Sequence, residues 1–243
     1  MPFSLAIRRR ILCAVGFLLT ASAAHAQAQS DAQQEGWAYE LIPFLWAAGI
    51  DGREGVGDTT AAVSADFKDL VDFLNVGGAL RMTASRPPLG WYAEASYVSL
   101  GGGANTPLGS LHLSSNQTLL EAGLSFQMVE KLALYAGLRY QDVGAVLEGN
   151  SRRLDQDRGW VDAIGGARWD FLANDHWVGW LRADAGGGGS RFVWLGEAGA
   201  GYRWGSRWGA YLSYRILDTD YRHDGFIYDI RMSGLLFGFG IRL

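Results

Sequence analysis

The chain has 243 residues, of which 19% are charged and 49% hydrophobic, with 34 glycines, 10 tryptophans and a formal net charge of −4. This apolar and aromatic content excludes an intrinsically disordered chain. A helical membrane bundle is excluded as well, because the one long charge-free apolar run, residues 11–24, is shorter than the roughly 20 residues that a helix needs to cross a bilayer. No basic patch points to a nucleic-acid partner.

The start of the chain has the three parts of a secretory signal peptide. Residues 8–10 are arginines that form a basic n-region, residues 11–21 form an apolar h-region, and residues 24–26 form an Ala-His-Ala cleavage site. Cleavage there would remove Cys13, the one cysteine of the chain. The exported protein would then have no disulfide, no thiol nucleophile and no Cys-based metal site.

Segments of alternating polar and apolar residues recur from residue 37 to the end of the chain. Most are about 10–13 residues long, which exceeds the usual length of soluble strands and matches the roughly 9–11 residues of a tilted transmembrane strand. In the fourth to ninth segments one face carries no charge, and successive side chains of a strand point to opposite faces. The ten segments cover residues 37–48, 75–86, 90–100, 117–128, 132–142, 159–171, 177–187, 192–204, 207–217 and 228–243.

This pattern favours an outer-membrane β-barrel over a soluble sandwich, which would bury the apolar face and expose the charged one. Trp and Tyr residues lie near the ends of the apolar faces, where aromatic girdles meet the membrane interfaces. Short and long connections alternate, as periplasmic turns and outer loops do. The predicted fold class is all-β: a closed antiparallel transmembrane β-barrel of about ten strands, with eight or twelve as alternatives. The predicted organisation is a signal peptide over 1–26, a short periplasmic linker over 27–36 and the barrel over 37–243.

The longer connections are predicted to be outer loops, and the first of them, residues 49–74, holds two further patterns. Residues 59–67 alternate as a strand would, but a single additional strand would make the count odd, so we place them in the loop. Residues 66–74 have the spacing of a short amphipathic helix. The other predicted outer loops are 101–116, 143–158 and 218–227, with a much shorter one at 188–191.

The last predicted strand carries a possible assembly signal, an alternation of apolar residues that reaches the final position: Leu235, Phe237, Phe239, Ile241 and Leu243. This tail resembles the C-terminal strand that the barrel assembly machinery recognises in Gram-negative outer-membrane proteins, a pattern that usually ends in Phe or Trp. Several short phrases resemble a group of small outer-membrane β-barrel proteins of the OmpA and OmpW type: Pro43-Phe44-Leu45-Trp46, Gly159-Trp160-Val161-Asp162, Gly201-Tyr202-Arg203, and Tyr214-Arg215 with Asp220-Tyr221. The resemblance implies a barrel in the outer membrane and supplies no catalytic residues.

The inward-facing parity of the strands collects acidic residues and arginines in equal number. Eight strands enclose just enough room for side chains and ten leave little more. Guanidinium and carboxylate groups pair readily, so we expect a mostly plugged or narrow lumen, with a lined water channel as the alternative. The predicted lumen ion-pair network is Glu40, Arg81, Glu94, Glu121, Arg139, Asp162, Arg168, Arg182, Asp184, Glu197, Arg203 and Arg215; Asp170 and Arg242 share its parity.

The favoured function is a non-enzymatic envelope protein with a structural or surface-interaction role. A narrow passive channel for small solutes is the alternative, and an outer-membrane lipid-modifying enzyme is the third hypothesis. Such an enzyme needs a histidine near the outer rim with a carboxylate or serine beside it, and His223 with Asp220 is the pair to test. We assign no catalytic residue.

No cofactor and no metal site is predicted. Asp218, Asp220 and Asp224 carry oxygen ligands of the kind that calcium binds, but no EF-hand spacing occurs. The expected partners are outer-membrane lipids and lipopolysaccharide, and the barrel assembly machinery during biogenesis. The sequence leaves the oligomeric state open.

Overall fold

The computed structural model describes residues 36–56, 59–71, 74–106, 109–148 and 153–243, so the predicted signal peptide and almost all of the linker lie outside it. The described residues form eleven strands and one short helix. The strands are β1 (Ala38–Val56), β2 (Thr59–Ala65), β3 (Leu74–Arg86), β4 (Leu89–Thr106), β5 (Gly109–Val129), β6 (Leu132–Glu148), β7 (Arg153–Ala173), β8 (Trp177–Gly188), β9 (Phe192–Trp204), β10 (Trp208–His223) and β11 (Phe226–Arg242), and the helix is α1 (Phe67–Val71).

Ten of the strands close into an antiparallel barrel. Each strand from β3 to β10 pairs with the next along the chain, and β1 pairs with β3 on one side and with β11 on the other. Hairpin connections allow this arrangement, because antiparallel strands need only short turns between them. The predicted closed all-β barrel of ten strands is confirmed.

The additional strand, β2, does not extend the barrel wall. It pairs with the outer half of β1, from Val56 opposite Thr59 to Ile50 opposite Ala65. The assignment of residues 59–67 to an outer loop was therefore wrong for residues 59–65, because β1 continues beyond its predicted end and offers them an edge. Of the helix predicted over residues 66–74, Phe67–Val71 forms as α1, whereas Leu74 already belongs to β3. No helix in the described ranges is long and apolar enough to cross a membrane.

The strands continue further on the outer side than the sequence predicts. β5 and β7 have 21 residues each, and most of residues 101–116, 143–158 and 218–227 lie in paired strands. β10 and β11 meet in a tight turn at Asp224 and Gly225, whose φ angles of 49° and 76° suit a two-residue hairpin. The long outer loops were predicted wrongly, because polar residues on the outer parts of these strands do not alternate with a continuous apolar face.

Apolar side chains cover the middle of the outer face, and charges return beyond it. Asp218 and Arg231 face each other between β10 and β11, with an N–O distance of 2.8 Å, and they are the first charged outward residues after the apolar stretch. Aromatic side chains gather at the opposite end, which is the end predicted to be periplasmic. A belt of this kind is stable against lipid and marks a membrane-spanning barrel. Its exposed apolar residues include Leu45, Leu80, Tyr97, Leu124, Leu138, Val161, Leu181, Leu212, Leu235 and Phe237.

Candidate functional site in the barrel lumen

The inner wall concentrates charge at one level of the barrel. Arg81, Glu94, Glu121 and Arg139 are cross-strand neighbours from β3 to β6. A second run of neighbours crosses β8, β9 and β10. Alternation turns these side chains inward, and the strand register brings them together. The ionic cluster is defined here as Arg81, Glu94, Glu121, Arg139, Arg182, Asp184, Glu197 and Arg215.

Half of the ionic cluster is a ring of two arginines and two glutamates. Arg81 Nε lies 2.7 Å from Glu94 Oε2, and Arg81 Nη2 lies 3.2 Å from Glu197 Oε2. Arg215 Nη1 lies 2.5 Å from Glu94 Oε1, and Arg215 Nη2 lies 2.8 Å from Glu197 Oε2. Each carboxylate therefore contacts both arginines, and the ring is neutral as a whole.

The other half repeats this arrangement with Glu121, Arg139, Arg182 and Asp184. Arg139 Nη2 lies 2.7 Å from Glu121 Oε2 and 2.9 Å from Asp184 Oδ1. Arg182 Nη2 contacts Glu121 Oε1 and lies 3.2 Å from Asp184 Oδ2. The hydroxyl of Tyr135 donates to Asp184 at 2.7 Å and accepts from Arg182 Nε at 2.8 Å. All eight cluster residues are buried, so this pairing is what makes their burial tolerable.

Further donors hold the carboxylate of Glu197. The hydroxyl of Ser213 donates to Glu197 Oε1 at 3.0 Å, and Trp180 Nε1 lies 3.3 Å from the same oxygen. The sequence pattern placed Ser213 and Trp180 on the inward face but gave no sign of these bonds. Gln141 and Thr219 form another buried pair, with Gln141 Nε2 donating at 3.2 Å. This pair was not predicted, because Thr219 falls in the stretch assigned to an outer loop.

Aromatic and aliphatic side chains pack inside the barrel on the outer side of the ionic cluster. The Phe44 ring lies 5.6 Å from the guanidinium carbon of Arg215, and the Trp46 ring lies 5.4 Å from it. Beyond them is an apolar layer in which Trp160 stacks on Tyr221 at a centroid distance of 4.2 Å. The buried members of this layer are Leu119, Val143, Trp160, Ile164, Val193, Leu195, Leu217, Tyr221, Phe226, Tyr228, Ile230 and Met232.

At the end of the barrel predicted to be periplasmic, the lumen opens into a vestibule of about 340 Å³. Glu40, Arg168 and Arg203 line this space, and all three belong to the predicted network. Glu40 accepts a hydrogen bond of 2.5 Å from the Tyr211 hydroxyl, while Arg168 pairs with Asp170 at 2.9 Å. These predicted residues therefore lie outside the ionic cluster.

Asp162, also predicted for the network, has a different partner. Its Oδ1 accepts a hydrogen bond of 2.7 Å from the backbone N–H of Ser190. Asp162 is opposite Arg139 in the β6–β7 ladder, but Arg139 turns its donors to Glu121 and Asp184. The role of Asp162 is thus to hold the short connection between β8 and β9.

The residues considered for catalysis or calcium binding lie on the outer hairpin. His223 Nε2 is 3.4 Å from Asp224 Oδ2, and both side chains are largely exposed. Asp220 instead accepts from Arg222 Nε at 2.8 Å, and Asp218 pairs with Arg231. Among the described residues, no group of three or more His, Cys, Asp or Glu side chains is placed to hold a metal ion.

The comparisons with known proteins concern the fold alone. No family model matches the chain, and no curated protein matches it in sequence. Ail, the attachment invasion locus protein of Yersinia pestis, aligns with a TM-score of 0.43 and 11% identity, covering 86% of this chain and all of that one (100%). Neisserial surface protein A gives 0.31 and 12% (85% and 99% covered), and the Pseudomonas putida toluene transporter TodX gives 0.32 and 10% (86% and 90% covered).

The chain described here is a closed antiparallel β-barrel of ten strands with an apolar outer belt, which is the architecture of a membrane-spanning barrel. Its own closure and apolar belt carry that conclusion. At the TM-scores found, the likeness to any one of these proteins says nothing about ligand, transport or adhesion.

Proposed function

We propose that this protein is a structural or surface-interaction barrel of the outer membrane whose lumen is closed to solutes. The observation that carries the proposal is the pair of neutral ion rings. Eight charged side chains meet across the lumen, and none is more than 9% exposed. With the apolar layer directly above them, they leave the vestibule without a polar path to the outer surface.

The proposal includes export through a signal peptide over residues 1–26, a periplasmic linker over 27–36 and membrane insertion of residues 37–243. Recognition by the barrel assembly machinery would use the C-terminal alternation, of which Leu235, Phe237 and Phe239 face outward on β11. β11 is also the strand that closes the barrel against β1, so its arrival completes the wall.

The surface that we propose for interaction is formed by the parts of the strands that lie beyond the apolar belt on the outer side. There Arg53 pairs with Asp229 at 2.9 Å and Arg231 pairs with Asp218 at 2.8 Å. The two arginine side chains are nevertheless 64% and 56% exposed, which leaves donors free for phosphate groups of lipopolysaccharide. Exposed pairs contribute little to stability, so these residues can exchange partners at small cost.

A solute-flux assay tests the closed lumen. The refolded barrel is placed in lipid vesicles, and the swelling of these vesicles in solutions of uncharged sugars is followed. Vesicles that contain a general porin serve as the positive control. We expect swelling no faster than in protein-free vesicles. Uptake that scales with the amount of barrel would contradict the proposal and favour the narrow channel instead.

A further inference from the structure

The barrel wall has a gap between β1 and β3 at the level of the apolar belt. The β1–β3 ladder ends where Phe44 faces Ala79, although both strands continue past that point. On β1, pairing on this side resumes only at Ile50, and then with β2. Residues 45–49 of β1 and 74–78 of β3 thus have no strand partner across the gap among the described residues.

The gap lies among exposed apolar residues of the belt. Leu45 and Leu80, which flank the last β1–β3 pair, are 48% and 40% exposed on the outer face. Gly78 lies opposite Tyr97 of β4, and a Cβ added to Gly78 would meet nothing within 4 Å. Lipid cannot form hydrogen bonds with the unpaired backbone N–H and C=O groups of a strand edge. We therefore expect another molecule or segment to cover this gap.

Behind the gap lies a cavity of about 180 Å³. Its lining joins outward residues of the belt, Leu45 and Tyr97, to inward residues of the apolar layer such as Leu119 and Met232. The cavity therefore reaches from the lipid-facing surface into the lumen. Phe44 and Trp46 also line it and lie against Arg215, so the cavity ends at the ionic cluster.

The outer end of this cavity is polar. Gln117 Nε2 donates to the Tyr228 hydroxyl at 3.2 Å, and both residues belong to the lining. Glu54, next to Tyr228 in the β1–β11 ladder, is the one acidic or basic residue of the lining. Burial raises the pKa of the Glu54 carboxyl above its ordinary value. An apolar body with a polar outer end and one acidic group matches an uncharged amphiphile oriented as in the outer leaflet.

We propose that the gap between β1 and β3 admits one alkyl chain of an uncharged membrane amphiphile from the outer leaflet into this cavity. α1 borders the entrance: the N-terminal end of the helix lies against Gly49, and Phe67 reaches the lining. The site is a dead end because the ionic cluster closes it below. The proposal does not depend on the absence of solute flux through the lumen.

Photo-crosslinking in vesicles tests this inference. The refolded barrel in phosphatidylcholine vesicles is exposed to dodecanol that carries a diazirine at the end of its chain, and the labelled residues are mapped by mass spectrometry. We expect adducts on the inward residues Leu119, Ile230 and Met232, besides a background on belt residues such as Leu124. Adducts confined to the belt would overturn the proposal.

Two substitutions separate entry through the gap from nonspecific labelling. Ala48→Phe fills part of the cavity from β1 and leaves room for about two fewer methylenes of the probe. Losing the burial of two methylenes lowers the binding affinity about tenfold. We therefore expect inward adducts to fall about tenfold relative to belt adducts. Gly78→Leu narrows the gap from its outer rim and is the second variant if Ala48→Phe does not fold. Ala136→Phe, on the exposed face of β6, is the matched control and leaves inward adducts unchanged. Inward labelling that resists both Ala48→Phe and Gly78→Leu would refute entry at this place.

A second probe tests the preference of the cavity for an uncharged headgroup. Dodecanoic acid with the same diazirine should label the inward residues less than the alcohol does, because its carboxylate meets Glu54. Glu54→Gln should remove that difference. Equal labelling by acid and alcohol in the unmodified protein would contradict an uncharged occupant.

Discussion

Replacing Arg139 is the most direct way to measure how much the ionic cluster contributes to the free energy of unfolding. Its side chain is completely buried (0% exposed) and lies 2.7 Å from Glu121 and 2.9 Å from Asp184. In Arg139→Met, both carboxylates keep Arg182 but lose half of their arginine contacts, and the ring gains a net negative charge. Breaking a buried ion pair from one side costs about 3–5 kcal/mol.

The free energy of unfolding is measured by urea titration of the refolded barrel in vesicles, followed by tryptophan fluorescence. Arg231→Met is the matched control, since Arg231 pairs with Asp218 at 2.8 Å but is 56% exposed, and it should cost about 0–1 kcal/mol. The double variant Arg139→Met/Glu121→Met restores neutrality and should recover part of the loss. Equal costs for Arg139→Met and Arg231→Met would refute the view that the rings are buried and mutually dependent.

Three further predictions concern other parts of the barrel. Leu195→Ala, in the apolar layer and 1% exposed, should lower the free energy of unfolding by about 2–5 kcal/mol, whereas Leu124→Ala on the belt should have a much smaller effect; similar values would argue against a packed lumen. Gly225→Ala, at a φ of 76°, should cost about 1 kcal/mol through strain in the β10–β11 turn, and an unchanged urea midpoint would show that the turn relaxes freely. The raised pKa of Glu54 means that the folded barrel holds this proton more tightly than the unfolded chain does. Stability should therefore fall as pH rises from the ordinary carboxyl range through the raised pKa, and Glu54→Gln should reduce that slope; a slope unaffected by the substitution would assign it to other groups.

Much of the fold follows from the sequence because two simple regularities coincide. Period-two alternation defines the strands, and the charge-free parity decides which face meets lipid. In β6, Leu134 and Leu138 are exposed while Tyr135 and Arg139 are buried, as alternation requires. The even strand count then follows because every strand of a closed antiparallel barrel runs opposite to both of its neighbours.

Register is the part that alternation cannot supply. Glu94 and Glu121 share the inward parity, but parity alone does not say that they face each other across the β4–β5 ladder. Nor does it say that each is held by a different pair of arginines. The division of the cluster into two rings depends on how ten staggered strands bring side chains from opposite walls together.

The outer part of the barrel also differs from the prediction, since strands continue where loops were expected. Above the belt the outward face of a strand meets water, so polar residues there no longer mark loops, and β10 continues to His223 while its inward residue Tyr221 stays buried. β2 forms because β3 pairs with only the first part of β1, from Ala38 to Phe44. That early end of the ladder, and the gap it leaves, has no sequence signature beyond the glycines near residue 78.

Single-channel recording tests the central claim, a lumen closed by two neutral ion rings, most directly. The refolded barrel is inserted into a planar bilayer and compared with the double variant Glu197→Ala/Arg215→Ala, which removes two members of one ring and keeps the net charge. We predict no stable conductance steps from the unmodified barrel. Reproducible steps from the unmodified barrel, no smaller than those of the double variant, would contradict the closed lumen.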